Sequence, residues 1–183
     1  MTRAPMKVIY EPPLRTVLVA GGASFAGRPL CQLLASDGAL RIISLDRHGH
    51  QLLPRETGNF RMIDSDAMNT DGLRALFAEE QIDSVVDLGR TAVAQLAETA
   101  QACWDAMPQV QRARCRFIDA AGQDTIDRRL HANLPVIRAV PAMLYGPDQP
   151  DDAVIPTMIL SALAGAPIWV ADAGRTRHDW LHV

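Results

Sequence analysis

Short apolar runs alternate with longer amphipathic stretches along most of this 183-residue chain. Runs rich in β-branched residues predict strands at residues 16–20, 40–45, 61–63, 82–88, 115–118 and 135–140. Apolar positions at helical spacing predict helices at 28–35, after a cap at Asn69 or Thr70, at 92–107 and at 154–164. Strands and helices that alternate in this order predict an α/β fold with a doubly wound parallel sheet.

The flanking segments carry weaker patterns. Residues 1–15 hold one short apolar run, stopped by Pro12 and Pro13, and are interpreted as a lead-in arm. Residues 16–183 are predicted to form a single domain, because this length suits one hydrophobic core. The polar residues 48–58 predict a loop, and residues 168–170 predict a last short strand.

A glycine-rich turn joins the first strand to the first helix. Such a turn suits a dinucleotide, since the N–H groups at the helix start face the pyrophosphate. Gly21 and Gly27 stand where the turn and the helix–strand contact need glycine, but Ser24 stands where backbone approaches phosphate. Its hydroxyl would have to donate a hydrogen bond instead. The alternative is a tight turn of an ordinary α/β domain.

Asp46 ends the second predicted strand, about twenty residues after the glycine turn. A carboxylate at this position accepts hydrogen bonds from both hydroxyls of an adenosine ribose. An ordinary aspartate at a strand end is the alternative. Arg47 follows and would favour a 2′-phosphate, so the choice between NAD and NADP stays open.

Composition excludes several classes of protein. Hydrophobic residues make up 48% of the chain and the formal net charge is −3, which predicts neither a nucleic-acid-binding protein nor a disordered one. The sequence has no signal-peptide pattern and no apolar run long enough to span a membrane. The odd set of Cys31, Cys103 and Cys115 predicts buried thiols of a cytoplasmic protein, and the lone pair His48 and His50 predicts a surface loop rather than a metal site.

Several segments together resemble one family. The turn at 20–27 is similar to a TGGxGFIG turn, and 77–88 to the segment before that family's fourth strand. The segments at 145–147, 154–165 and 179–181 resemble its YGP, IPxxIxxALxG and RDWLYV motifs. The chain thus resembles the extended short-chain dehydrogenase/reductases, and most of all the NAD-dependent nucleotide-sugar epimerases and dehydratases. The resemblance implies a Rossmann-type sheet followed by a substrate-binding lobe, which is reduced or missing here.

The resemblance also implies roles for individual residues. The residues that would line the pyrophosphate are Gly21, Ala23, Ser24, Phe25, Ala26 and Gly27. Asp46 and Arg47 would hold the adenosine ribose, and Asp66 and Ala67 would contact the adenine edge. His178 falls on the family's arginine for the substrate diphosphate, with Arg177 beside it. The ligands so implied are NAD or NADP and a nucleotide or nucleotide sugar.

The chemistry of the family is missing from the sequence. Its members use a tyrosine and a lysine four residues apart as acid/base and cofactor anchor. The only tyrosines of this chain are Tyr10 and Tyr145 and its only lysine is Lys7, so the sequence contains no Tyr-x-x-x-Lys. Residues 122–133 are too few for the helix that carries that pair, and Ala121 replaces a catalytic hydroxyl.

These losses predict a degenerate homologue without oxidoreductase activity, which binds NAD(P) or a nucleotide as a sensor, a regulator or a subunit. The alternative is an active epimerase or dehydratase whose site is non-standard or completed by a partner. The deleted helix would leave an apolar flank on the helix at 92–107 without its usual neighbour. An oligomer or a protein partner is therefore expected to cover it.

Overall fold

The computed structural model describes residues 14–47, 56–65, 68–89, 93–121 and 133–183. The strands are β1 Arg15–Ala20, β2 Leu40–Asp46, β3 Glu56–Thr57, β4 Phe60–Asp64, β5 Ile82–Asp87, β6 Arg116–Asp119, β7 Val136–Arg138, β8 Met143–Tyr145 and β9 Trp180–His182. The helices are α1 Gly27–Ala35, α2 Thr70–Glu80, α3 Val93–Asp105, α4 Gln109–Arg112 and α5 Val154–Leu163, with a 3₁₀ turn at Ala171–Gly174.

Seven of these strands form one sheet in the order β3-β4-β2-β1-β5-β6-β7. All the neighbours pair in parallel except β3, which lies antiparallel to β4 at the edge. The order reverses between β1 and β5, because the chain builds the sheet outward from β1 in both directions. This arrangement confirms the doubly wound, Rossmann-type sheet and places a ligand crevice at the carboxyl ends of β1 and β5.

The central strands are apolar because both faces of the sheet are covered. Successive residues of β1 alternate between two cores, since Leu18 packs with one cluster and Val19 with the other. The larger cluster includes Phe77 of α2 and Trp104 of α3, whose rings meet edge to face. The indole N–H of Trp104 donates to the carbonyl of Ile82 at 2.9 Å, so the one polar atom of this ring is paired inside the core.

Helix α2 confirms its sequence signals. Its N-cap is Asn69, whose side chain accepts a hydrogen bond from the Gly72 amide at 2.8 Å. The helix ends at Gln81, which adopts the left-handed conformation with φ +50°. Leu73, Leu76 and Phe77 all lie in the core, as their spacing predicts.

Some local predictions were wrong. Residues 168–170 form no strand, and β9 forms instead at the end of the chain, where it pairs in parallel with the unpredicted β8. The segment predicted as the loop 48–58 contains β3. This two-residue strand pairs with β4 and has no apolar pattern that would predict it. Helix α4 was also missed, because four residues are too short to show a period. Several predictions fall on residues outside the described part of the chain. These are residues 1–13 of the predicted arm, the pair His48 and His50, and residues 122–132 of the crossover.

The exposed apolar surface is not where the sequence placed it. Leu96, Ala97, Ala100 and Trp104 of α3 are all buried in the core, and α2 packs against this helix. The described part of α3 has no large exposed apolar side chain. Exposed apolar residues are concentrated instead in the last quarter of the chain, at Val140, Ile159, Leu160, Leu163, Ile168, Trp169 and Leu181 among others.

Cys31 and Cys115 are buried and Cys103 is half-buried, and all three are free thiols. Burial raises the pKa of Cys31 to about 12 and that of Cys115 to about 11. None of the helices among the described residues is long and apolar enough to cross a membrane.

The contact between Gly27 and the glycine turn gives a test of the packing. A Cβ on Gly27 would lie 2.6 Å from the Cα of Gly22 and closer still to the carbonyl oxygen of Gly21. We expect Gly27→Ala to lower the free energy of unfolding by about 1–3 kcal/mol, as overpacking does. Gly38→Ala is the matched control, because nothing lies within 4 Å of its Cβ position. Urea unfolding of both variants measures the difference, and equal stabilities would contradict the close contact.

Candidate functional site

The glycine turn lies at the carboxyl edge of the sheet, at the point where the strand order reverses. Ala20 ends β1 and lies opposite Leu45 on one side and Asp87 on the other. The Gly21 amide donates to the Leu45 carbonyl at 3.0 Å, and the Leu88 amide donates to the Ala20 carbonyl at 3.0 Å. These bonds fasten the turn to both neighbouring strands.

Three glycines make the turn compact. Gly21 has φ +85°, which a residue with a side chain adopts only at a cost. Gly27 packs against the backbone of the turn, as described above. Gly22 also has no room for a side chain, because a Cβ there would lie 2.7 Å from Cys31 Sγ and would overlap Ser44. Sequence reasoning did not assign a role to Gly22, although its place in a glycine pair was a usable signal.

Ser24 is bonded to the start of helix α1. Its Oγ accepts a hydrogen bond from the Gly27 amide at 3.0 Å, and its carbonyl accepts one from the Arg28 amide at 3.0 Å. This side-chain-to-backbone bond resembles that of an N-cap, although the regular helix begins at Gly27. One of the helix-start amides is therefore already paired. The Ser24 hydroxyl keeps its own proton, so the predicted donation to a ligand stays a prediction.

Asp46 is buried, at 6% exposed, and holds the turn in place. Its Oδ2 accepts a hydrogen bond from the Ala23 amide at 2.9 Å and another from the Ser44 hydroxyl. Asp46, which the sequence predicts to bind the ribose, thus has a structural role as well, because its carboxylate joins the end of β2 to the glycine turn. Arg47 follows at the surface, and Asp66 and Ala67 lie outside the described residues.

A pair of buried carboxylates lies on the other side of the turn and was missed by sequence reasoning. Asp87 and Asp119 end β5 and β6 at paired positions, and they are 0% and 3% exposed. The Gly89 amide donates to Oδ1 of Asp87 at 2.8 Å, while Oδ2 of Asp87 has no hydrogen-bond partner within the described residues. Oδ2 of Asp119 lies 3.7 Å from the Arg138 guanidinium at the end of β7.

The pKa of Asp87 is raised to about 6, mainly by burial and to a smaller extent by the neighbouring Asp119 charge, while the Gly89 hydrogen bond acts in the opposite direction. The signal was present in the sequence, because β2, β4, β5 and β6 all end in aspartate. Its meaning depends on the strand order, which makes Asp87 and Asp119 neighbours.

The predicted substrate residues lie apart from the turn. His178 lines a cavity of about 320 Å³ against α5, together with Thr157, Ser161 and Trp169. None of the residues that line this cavity belongs to the glycine turn. Arg177 is exposed. Tyr145 packs edge to face against Trp180 and His182.

Among the described residues, no group of three or more histidine, cysteine, aspartate or glutamate side chains is arranged to hold a metal ion.

The comparisons with known proteins agree with this geometry. Residues 17–133 match the model of the NAD dependent epimerase/dehydratase family. The chain belongs to this family. A dTDP-glucose 4,6-dehydratase from Neisseria gonorrhoeae is 24% identical and aligns with 92% of the chain, which spans 66% of that relative. The alignment is 234 positions long, whereas the chain has 183 residues, so the relative carries internal residues that have no counterpart in this family member.

Solved structures share the fold. A dTDP-glucose 4,6-dehydratase from Bacillus anthracis in complex with NAD superposes with a TM-score of 0.64 at 18% identity, over 92% of this chain and 67% of that one. A UDP-glucuronic acid 4-epimerase from Bacillus cereus, in complex with UDP-glucuronic acid and NAD, gives 0.67 at 18% identity, over 92% and 69%. The enzyme WbmG from Bordetella bronchiseptica in complex with NAD gives 0.68 at 16% identity, over 96% and 67%.

The raised pKa of Asp87 makes stability depend on pH. The folded state binds this proton more tightly than the unfolded chain, with a pKa of about 6 against 3.8. Stability from this group is therefore complete below pH 4 and is lost as the pH rises through 6. We expect Asp87→Asn to raise the free energy of unfolding at pH 8 by up to about 3 kcal/mol and to leave it unchanged near pH 4.

Denaturant unfolding from pH 4 to pH 8 measures this difference. Asp71→Asn is the control, because the Asp71 side chain is exposed on α2. An Asp87→Asn variant that parallels the wild type at every pH would contradict the assignment.

Proposed function

We propose that this protein is a degenerate member of the epimerase/dehydratase family that binds an NAD(P)-type dinucleotide without performing the family's oxidoreductase chemistry. The observation that carries the proposal is the compact glycine turn at the crevice of the sheet, fastened to Asp46 by the Ala23 amide at 2.9 Å. This part of the nucleotide site is intact in its packing, whereas the acid/base pair is absent from the sequence.

Several features support binding. The close packing of Gly27 on Gly21 and Gly22 keeps the turn compact at the start of α1, where a pyrophosphate would approach. Helix α1 begins at this turn and directs its partial positive charge toward the crevice. Family members with this fold have been solved in complex with NAD and with UDP-glucuronic acid.

Other features support the loss of catalysis. Proton transfer at the nicotinamide needs a phenol activated by a nearby lysine, and Lys7 is the only lysine of the chain. Tyr145, the one tyrosine among the described residues, packs against the rings of Trp180 and His182. Ala121 stands where the family has a hydroxyl beside the reacting sugar. The protein would then report or regulate through nucleotide binding, in the cytoplasm.

The alternative remains an active nucleotide-sugar epimerase or dehydratase whose site is completed by another residue or a partner chain. Incubation with NAD and dTDP-glucose or UDP-glucose, followed by chromatography of the sugar nucleotides, tests for turnover, because epimerisation and dehydration are redox-neutral overall and leave no net reduced nicotinamide. Turnover by the isolated chain would overturn the proposed loss of chemistry.

We also propose that the chain self-associates through the exposed apolar face of α5, here defined as Ile159, Leu160 and Leu163. These three large apolar side chains lie within one and a half turns of one helix, and a monomer rarely leaves such a group uncovered. Two such faces related by a two-fold axis would cover each other, which favours a second copy of the chain as the partner.

Ser24 gives the sharper test of nucleotide binding. We expect Ser24→Gly to bind NAD or NADP about tenfold more tightly, because the variant frees the Gly27 amide and lets backbone approach phosphate. A tenfold change in affinity corresponds to about 1.4 kcal/mol of binding free energy. Glycine is tolerated at an N-cap, so the variant keeps its fold. Ser24→Ala is the comparison variant, since it also frees the Gly27 amide but keeps the Cβ, and it should gain less affinity than Ser24→Gly.

Titration calorimetry with both dinucleotides measures these affinities. Asp46→Ala alone is a poorer test, because it also removes the bond that holds the turn. An absence of binding by the wild type and by Ser24→Gly would overturn the proposed function.

Self-association is tested at the surface of α5. Leu163 is 81% exposed, and we expect Leu163→Glu to weaken the dimer at least tenfold, because a charge would enter the apolar contact. Leu33→Glu is the matched control, since Leu33 is 70% exposed on α1, outside this surface. Sedimentation velocity over a concentration series gives the dissociation constants. A wild type that stays monomeric at every concentration contradicts the proposal.

A further inference from the structure

A cavity of about 330 Å³ lies between the start of α1 and the chain that follows β8. Phe25, Arg28 and Gln32 line it from one face of the helix, and Pro147 and Asp148 line it from the opposite side. Phe25 belongs to the glycine turn, so this cavity adjoins the proposed pyrophosphate site. Arg28 had no role in the sequence analysis.

Arg28 is held in this cavity by one ion pair. Its side chain is 16% exposed, and Nη1 lies 3.2 Å from Oδ2 of Asp148, which is 73% exposed. Its Nε is buried and has no acceptor within the part of the chain that the structure describes. A buried N–H without a partner costs about 1–3 kcal/mol, so the guanidinium has capacity for another acceptor.

Arg28 is the second residue of α1, at the end of the helix that lies next to the glycine turn. Its backbone amide donates to the Ser24 carbonyl, in the same helical turn whose amides face the crevice. A guanidinium offers several N–H donors in one plane and binds two phosphate oxygens at once. The Gly27 amide is hydrogen-bonded to Ser24 Oγ and is therefore not free to bind an anion. The Arg28 guanidinium would supply N–H donors in place of this amide.

We propose that Arg28 is the diphosphate-binding cation of the nucleotide site, and that Asp148 is an internal anion that occupies it when no ligand is bound. The diphosphate of the dinucleotide replaces Asp148 on Arg28 and releases the loop between β8 and α5. This inference rests on the proposed nucleotide binding, and it makes the C-terminal part of the chain responsive to the ligand.

The charges require opposite effects from the two partners. Arg28→Gln removes the cation and should weaken NAD binding at least tenfold, while adenosine, which has no phosphate, should not be affected. Asp148→Asn removes the competing anion and should strengthen NAD binding severalfold. A merely structural ion pair would give losses in both variants, or no change in either.

Calorimetric titrations with NAD, ADP-ribose, UDP-glucose and adenosine provide the measurement. Arg74→Gln and Asp71→Asn are matched controls, because they remove an exposed ion pair of 3.7 Å on α2. Arg28→Lys keeps the charge without the planar donors, and it should lose less affinity than Arg28→Gln. Thermal unfolding of each variant shows that the folded protein is being compared.

Hydrogen exchange gives a second readout. Amides at 146–153 should exchange faster when NAD is bound to the wild type, and should already exchange faster in Asp148→Asn without ligand. If NAD binds but Arg28→Gln is unaffected, or if Asp148→Asn weakens binding, the inference fails while the proposed function stands. If only UDP-glucose depends on Arg28, the dinucleotide assignment fails. If no nucleotide binds the wild type, the proposed function itself fails.

Discussion

The contact between the start of α1 and the turn after β1 is the constraint on which the rest of this site depends. Gly27 lies so close to Gly21 and Gly22 that no side chain fits between them, which sets the helix against the edge of the sheet. Asp46 then joins the turn to β2 through the Ala23 amide. Because these contacts are made by backbone and by one buried carboxylate, the shape of the turn does not depend on a Tyr-x-x-x-Lys pair, which the sequence lacks.

Charge is distributed unevenly along the carboxyl edge of the sheet. Asp46, Asp87 and Asp119 are all buried at the ends of adjoining strands, and Arg138 follows beside Asp119. A dinucleotide diphosphate is itself anionic, so this edge needs cationic groups to hold one. The start of α1 supplies them through its partial positive charge and through Arg28, on the side of the turn away from Asp87 and Asp119. On this arrangement one edge can hold both the buried acids Asp87 and Asp119 and a proposed anion site.

The last quarter of the chain differs from the rest in its packing. Helix α5 contains no buried residue, although it is the most apolar helix of the chain, and β8 and β9 form a small sheet of their own. The chain spans about two thirds of the length of its relatives. The proposed association involves the exposed apolar side chains of this segment, and the proposed ligand response involves the loop between β8 and α5.

The sequence by itself determined the α/β class, the order of the main strands and helices, the glycine turn and the absence of a Tyr-x-x-x-Lys pair. These depend on local periodicity, on turn chemistry and on residue identity, all of which act over a few neighbouring positions. Only the tertiary structure decided that Ser24 bonds the Gly27 amide, that Asp87 meets Asp119, and that Arg28 meets Asp148 across 120 positions of sequence. The structure also shows exposed apolar side chains on α5 and not on the described part of α3, where the sequence had predicted them. Such pairings follow from strand order and from what covers each face, and no local pattern contains that information.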